Sequence, residues 1–448
     1  MVFISIHLTT KVILSFFSMK TNKDKYGEVF TPSSLVQQMI QDALLNMGNT
    51  FFDSIEHIFE PGAGCGSFYQ TLSSTSLYTH GAYTMNEINH QHEPVLKELV
   101  ANRAKGDCVL IQNLFDVSAC SAELVWGNLP FHNGGKCFVP GMVHKKHMCP
   151  TKPETIWPKM IHYIFKHILA NHGYFYAIIP CIWLKEDKAK IYDLFVRKHK
   201  LCFLRVFDCV EANALFGYEC QTPVCYVMVQ KVEGMGMGMD MGMDMGIGGA
   251  GAEITFSLFD KTKYIDFTLL NNYCIPTKHG SLFQDAVKHI KACGSGGGTY
   301  YARVKKVACM RKKVLEDALG YFDKNSMQSH GLLEDYVCEN GEYKVIRGSS
   351  VDKSGQLILH GFVSRTPGLY VGIPKLILPH KRLMKMFKDY DGLYSFYGRD
   401  MHVFLCKDAK EIDELEAKLM QPRVKKMIES GFTIRMNFLE KYAFQYVI

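Results

Sequence analysis

Paired cysteines are missing from this sequence: its 15 Cys among 448 residues include no Cys-x-x-Cys spacing. A disulfide framework needs regularly spaced pairs, so a reduced, intracellular and cytoplasmic setting is expected instead. Charge is sparse as well, at 21% of residues against 47% hydrophobic, which excludes a highly charged disordered chain. A long apolar run is also lacking. Residues 1–18 come nearest, but His7, Thr9, Thr10 and Lys11 interrupt them, so no membrane span is expected. They show neither the basic start nor the small-residue cleavage site of a signal peptide. Met19 directly precedes the polar stretch 20–25, and the expectation is that it is the working start, leaving 1–19 a doubtful leader. Cys137, His144, His147 and Cys149 lie close together, but their spacing matches no common zinc site, so no metal is expected.

What is present is an alternation of short apolar strands and helical stretches from Tyr26 to Lys231. Strands fit at 55–59, 82–86, 108–112, 123–127, 174–180, 203–208 and 224–231, and helices at 33–47, 66–73, 92–103, 154–171 and 186–199. That rhythm implies a doubly wound, mainly parallel sheet, whose ligand sits at the C-terminal ends of the strands. Three motifs fall at such ends. Phe59-Glu60-Pro61-Gly62-Ala63-Gly64-Cys65-Gly66 runs from a strand through a glycine loop into a helix, so its backbone can approach a ligand closely and present N–H groups. Glu87 closes the next strand, where an acid holds the ribose hydroxyls of a nucleoside. Val125-Trp126-Gly127-Asn128-Leu129-Pro130-Phe131 ends a third strand in a rigid turn. The Asn128 side-chain oxygen and the Leu129 carbonyl can both accept from an exocyclic NH2, Phe131 offers a stacking face, and Pro130 stiffens the turn. Such an array suits gripping the amino group of a planar base while leaving its nitrogen lone pair free.

In this order the motifs resemble the N6-adenine-specific DNA methyltransferase family. The resemblance begins at Lys25-Tyr26-Gly27-Glu28-Val29-Phe30-Thr31-Pro32 and takes in Gly173–Pro180 and Gln221–Tyr226, about half the chain. It implies a Rossmann-like methyltransferase sheet, S-adenosyl-L-methionine as cofactor, base flipping, and transfer to adenine N6. By the same resemblance Tyr26 and Thr31 cover the cofactor, Glu60, Gly62, Gly64 and Gly66 line its methionine end, and Glu87 holds its ribose. An acid usually meets the cofactor's adenine; Asn113 stands at that spacing, with Asp107 as the fallback. The family usually has Pro where this chain has Leu129. That position works through its carbonyl, and rRNA adenine dimethylases carry a similar Asn-Leu-Pro-Tyr, so an RNA adenine methyltransferase stays open as the alternative. A protein glutamine methyltransferase shares the amide logic, and a non-catalytic nucleic-acid-binding module on a methylase fold is the reading from a different class.

Beyond this region the character of the chain changes. Residues 233–253 form a Gly/Met-rich linker between an expected catalytic domain at 20–232 and a mixed α+β domain at 254–448. Residues 1–253 hold 21 Lys+Arg against 23 Asp+Glu, net −2, whereas 254–448 hold 30 against 21, net +9. A basic domain is the footprint of a polyphosphate partner, expected to be double-stranded DNA. Its candidate contacts are Lys305, Lys306, Lys381, Arg382 and Lys385, and the segments 375–379, 411–427 and 432–439 resemble a C-terminal target-recognition region.

Overall fold

In a computed structural model the chain divides into two compact units, Met1–Asn272 and Tyr273–Ile448. The structure describes residues 29–78, 80–101, 106–131, 156–216, 222–233, 253–293, 304–307, 343–347, 363–364, 370–379, 386–397, 401–432 and 441–447.

The first unit is built on a nine-stranded sheet of order β3-β2-β1-β4-β5-β7-β6-β8-β9. Its strands are β1 (His57–Glu60), β2 (Ala82–Glu87), β3 (Cys108–Ile111), β4 (Ala122–Asn128), β5 (Leu169–Pro180), β6 (Lys200–Phe207), β7 (Val224–Gln230), β8 (Ile254–Asp260) and β9 (Lys263–Leu269). β3, β2, β1, β4 and β5 pair in parallel, while β7 runs antiparallel between β5 and β6. The expected doubly wound, mainly parallel sheet is therefore observed, with helices on both faces. On one face α1 (Ser33–Met47), α2 (Ser67–Ser73) and α3 (Glu93–Ala101) pack Leu35, Met39, Phe68 and Leu96 into a core with Ile58, Tyr83, Trp126 and Tyr176. On the other, Phe165 and Phe195 close around Phe175, whose side chain points opposite to that of Tyr176 along β5.

Two expected helices are shorter than their sequence pattern. The one at 154–171 is α4 (Ile156–Tyr163) followed by a π-helical turn to Ile168, because β5 already begins at Leu169. The one at 186–199 starts late, since the Asp187 carboxylate accepts from the Ala189 and Tyr192 N–H groups and holds the preceding residues as a turn. The segment after the linker also differs from expectation. β8 pairs in parallel with β6 and antiparallel with β9, burying Phe256, Leu258, Phe267 and Leu269. The unit boundary thus falls after Asn272 rather than at 253. The charge asymmetry survives the move: 1–272 hold 23 basic against 25 acidic residues, net −2, and 273–448 hold 28 against 19, net +9.

The second unit contains a four-stranded antiparallel sheet, β10 (Val304–Val307), β16 (Met401–Leu405), β13 (Lys375–Pro379) and β14 (Phe387–Asp389), and a smaller sheet of β12 (Val363–Ser364), β11 (Tyr343–Arg347) and β15 (Tyr394–Tyr397). Lys375 and Asp389 form a buried ion pair at 2.7 Å. Lys375 Nζ also donates to the Tyr370 and Ile373 carbonyls, and Asp389 accepts from the Leu393 and Tyr394 N–H groups, so neither charge is left uncompensated. Lys305 and Lys306 lie on β10, and Lys381, Arg382 and Lys385 lie outside the described residues.

Asp42 of α1 ties that helix to the far strands of the first sheet. It accepts from Tyr226 Oη, from Tyr264 Oη at 2.8 Å and from Arg205 Nη1 at 3.1 Å, while the Arg205 guanidinium stacks on Phe259 at 3.6 Å. Asp42→Ala leaves the guanidinium and two hydroxyls without their shared acceptor. It should lower unfolding free energy by about 3–5 kcal/mol in urea titrations, with Asp42→Asn costing less; a loss below about 1 kcal/mol would contradict the anchoring role.

Candidate active site

The β1 strand lies between β2 and β4, so parallel register alone brings Glu60, Asn86, Glu87 and Asn128 to one edge of the sheet. A cavity opens there, concave and lined mainly by apolar side chains with a few polar groups, as ligand sites are. It is lined by the segment 29–31, the loop 60–65, Asn86–Ile88, Asn113–Phe115, the turn Asn128–Phe131, and Ile156 and Met160 of α4.

Three buried side-chain oxygens in this lining have no hydrogen-bond partner: Glu60 Oε1, Asn86 Oδ1 and Asn128 Oδ1. Asn128 is oriented by its amide nitrogen, which donates to the Val29 carbonyl at 3.3 Å and to Thr31 Oγ1 at 3.1 Å. With Nδ2 committed, Oδ1 is the atom left for a ligand. Glu60 is 1% exposed, and its Oε2 accepts from Tyr83 Oη at 2.7 Å, which in turn accepts from Trp126 Nε1 at 2.7 Å. Burial pushes the Glu60 carboxyl well above the ordinary carboxylate range; the Tyr83 hydrogen bond opposes this and the Glu87 charge adds to it. An unpartnered buried acceptor costs about 1–3 kcal/mol, so three in one cavity mark a surface complementary to N–H or O–H donors.

The glycine loop divides by role. Gly62 and Gly64 line the cavity; Gly64 has φ +54°, and a Cβ on Gly62 would lie 3.8 Å from Pro130 Cδ and 3.9 Å from the Asn128 carbonyl oxygen. Gly66 is outside the lining. At φ +82° it precedes α2, and a Cβ there would come within 2.6 Å of Leu99 Cδ1 on α3, so this glycine serves helix packing and not the ligand surface expected of it. Glu87 lines the cavity and is held from the backbone: Oε2 accepts from Gly64 N at 2.7 Å, and Oε1 from Ile88 N at 2.9 Å and Asn89 N at 2.8 Å.

Thr31, Leu129, Pro130 and Phe131 also line the cavity, Leu129 with its side chain buried and its N–H on the Ile178 carbonyl at 3.3 Å. Phe131 is half-buried against the main core. Asn113 reaches the lining, but its Oδ1 caps the following turn by accepting from Phe115 N at 3.2 Å. Asp107 does not line the cavity. Its two oxygens accept from Tyr69 Oη at 2.7 Å and Tyr83 N at 2.9 Å, which makes it a structural acid and removes it as the fallback. Tyr26 and the Cys137–Cys149 cluster lie outside the described residues, and the described residues contain no group of metal-ligating side chains. Phe30, Asn86, Ile88 and Phe115 are in the lining without having been expected from the sequence. Ile88 and Phe30 adjoin assigned residues, and that adjacency was signal enough to find them. Asn86 adjoins Glu87 in the same way, but its unpaired oxygen shows only once its neighbours are known.

No protein-family model matches the chain, and no curated protein does. Among solved structures it is similar to the type I restriction-modification system methyltransferase subunit from Streptococcus thermophilus, at 14% identity over 56% of this chain and 53% of that one, TM-score 0.37. It is also similar to the type IIG restriction endonuclease BpuSI, at 11% identity over 95% of this chain and 59% of that one, TM-score 0.43. A third similar structure is TehB from Haemophilus influenzae, at 10% identity over 44% of this chain and 62% of that one, TM-score 0.27. The chain spans between about half and two thirds of the length of these structures.

The raised Glu60 carboxyl makes the ligand-free protein pH-sensitive in a defined direction. A group whose pKa rises on folding contributes stability that is complete below its unfolded value, near 4.5 here, and is lost as pH climbs through the folded value. Glu60→Gln should remove that part of the slope, so thermal melts across pH should show the ligand-free variant gaining on the parent as pH rises. A variant that instead loses stability relative to the parent toward neutral pH would contradict the assignment.

Proposed function

We propose that this chain transfers a methyl group from S-adenosylmethionine to the exocyclic N6 of an adenine flipped out of DNA. The observation that carries the reading is Asn128 Oδ1, buried and unpartnered, fixed by Thr31 and the Val29 carbonyl, and set in one turn with Leu129 and Phe131. An exocyclic NH2 offers two donors, and Asn128 Oδ1 with the Leu129 carbonyl offers two acceptors. Phe131 supplies the face on which the base stacks, offsetting part of the unstacking cost of flipping. Holding both amine protons leaves the nitrogen lone pair directed at the methyl donor, so these residues act by positioning.

The same cavity fits the cofactor on the chemistry of its donors. Glu60 Oε1 suits a primary ammonium and Glu87 a vicinal diol, while Phe30 and Ile88 provide apolar surface for a second planar ring. S-adenosylmethionine, when bound, supplies an electrophilic methyl on its sulfonium. The net charge of +9 on 273–448 supports a nucleic-acid substrate over an amide side chain of a protein. An RNA adenine is the second reading, favoured by Leu129 in place of Pro.

Asn128→Ala should cut turnover by at least about 100-fold, since positioning is the main contribution, while cofactor affinity stays within about fivefold. Phe131→Ala should weaken target binding by about 1–3 kcal/mol through lost stacking, read by anisotropy with labelled duplex. An Asn128→Ala protein with full turnover would rule the mechanism out.

Replacing Lys381, Arg382 and Lys385 together with Ala should lower the slope of log affinity against log salt by roughly 0.9 for each phosphate no longer neutralised, without changing which sequence is methylated. An unchanged slope would place the phosphate-binding residues elsewhere on the chain.

A further inference from the structure

Glu60, Tyr83 and Trp126 come from three adjacent strands and form a hydrogen-bonded chain whose direction is fixed. Trp126 Nε1–H can only donate, so the Tyr83 oxygen accepts from it, and the single Tyr83 proton goes to Glu60 Oε2. All three side chains are essentially sealed from solvent, at 0–1% exposure. Glu60 Oε2 is therefore always an acceptor. Any proton that Glu60 carries sits on Oε1, the atom with no partner in the cavity wall.

We propose that Tyr83 and Trp126 are positioning residues that grip Glu60 through Oε2 alone and reserve Oε1 for the primary ammonium of the ligand, so that ligand entry expels the Oε1 proton. The proposal rests on the S-adenosylmethionine reading of the cavity. In the step, the O–H bond on Oε1 breaks, its proton goes to bulk water, and Oε1 accepts an N–H from the arriving ammonium; charge is conserved, one cation entering and one leaving. Among the described residues, the titratable groups acting on Glu60 are Tyr83, from β2, and Glu87, at the end of the same strand; Tyr78 and Tyr69 pack around Tyr83, and Asp107 accepts from Tyr69 Oη. Among the described residues none of these is a cation, and an arriving ammonium supplies the positive charge that favours an ionised Glu60. Burial, which holds the Glu60 proton to higher pH than an ordinary carboxyl, agrees with this.

The test is titration calorimetry on the full chain, with S-adenosylhomocysteine and with 5′-methylthioadenosine, which lacks the ammonium. Pairs of buffers differing in ionisation enthalpy, from about pH 6 to about pH 9, report the protons exchanged on binding. S-adenosylhomocysteine should release up to about one proton, and methylthioadenosine none. Tyr83→Phe should leave methylthioadenosine affinity unchanged, weaken S-adenosylhomocysteine roughly tenfold, and move proton release to higher pH; Trp126→Phe should act in the same direction and more weakly. Wild-type binding of S-adenosylhomocysteine with no proton release at any pH would overturn the inference and leave the cofactor reading standing, and so would equal release with methylthioadenosine. An unchanged pH profile in Tyr83→Phe has the same consequence. Failure of the wild-type chain to bind S-adenosylhomocysteine would remove both.

Discussion

A buried oxygen with no donor is a standing cost of about 1–3 kcal/mol, and this fold carries three of them side by side at Glu60, Asn86 and Asn128. The placement follows from strand order. Because β1 lies between β2 and β4, all in parallel, the ends that carry these residues converge without any loop having to reach across the sheet. At Asn128 and Glu60 the cost is held in place by neighbours that occupy the other polar atom of the side chain. The Asn128 amide nitrogen is taken by the 29–31 segment, and Glu60 Oε2 is taken by Tyr83. What these two side chains leave for the cavity is an acceptor oxygen each, and the cavity's chemistry is to that extent determined before any ligand arrives.

The supporting structure is spread over the whole first unit. The segment that orients Asn128 leads into α1, and α1 is fixed to β6, β7 and β9 through Asp42. Thus a strand pair on the far side of the glycine-rich linker contributes, through Tyr264, to the helix next to the site. The glycine loop is secured at two points, by Gly64 N–H on Glu87 and by Gly66 packed against Leu99 of α3. Rigid placement of this kind suits a site that works by holding atoms in line.

The alternation of strands and helices was legible because apolar runs and glycine turns are local signals, and the strand ends followed from it. Gly62, Gly64, Thr31, Glu87 and the Asn128–Phe131 turn all reach the cavity that this topology implies. Two of the misassignments share one cause, a partner distant in sequence. Gly66 has the spacing of a ligand-facing glycine, yet its reason is Leu99; Asp107 has a plausible distance from Asn128, yet its acceptors are filled by Tyr69 and Tyr83. Asn113 reaches the right place, but its oxygen is drawn back to its own turn, as short polar side chains often are. The β8–β9 pair looked like the start of a new domain because the low-complexity run before it reads as a boundary, whereas burial of Phe256 and Leu258 beside β6 decides the matter. The Glu60–Tyr83–Trp126 chain was out of reach for the same reason, since it exists only once β1, β2 and β4 are side by side.

The central claim is that the acceptors at Asn128 and Leu129 hold the amino group of adenine for methylation. The most direct measurement is mass spectrometry of nucleosides from duplex DNA and from single-stranded RNA of matched sequence, each incubated with the full-length protein and S-adenosylmethionine. The account predicts N6-methyladenine in the DNA and none when the protein is omitted. Methylated adenine in the RNA alone, or no methylated base in either, would contradict it.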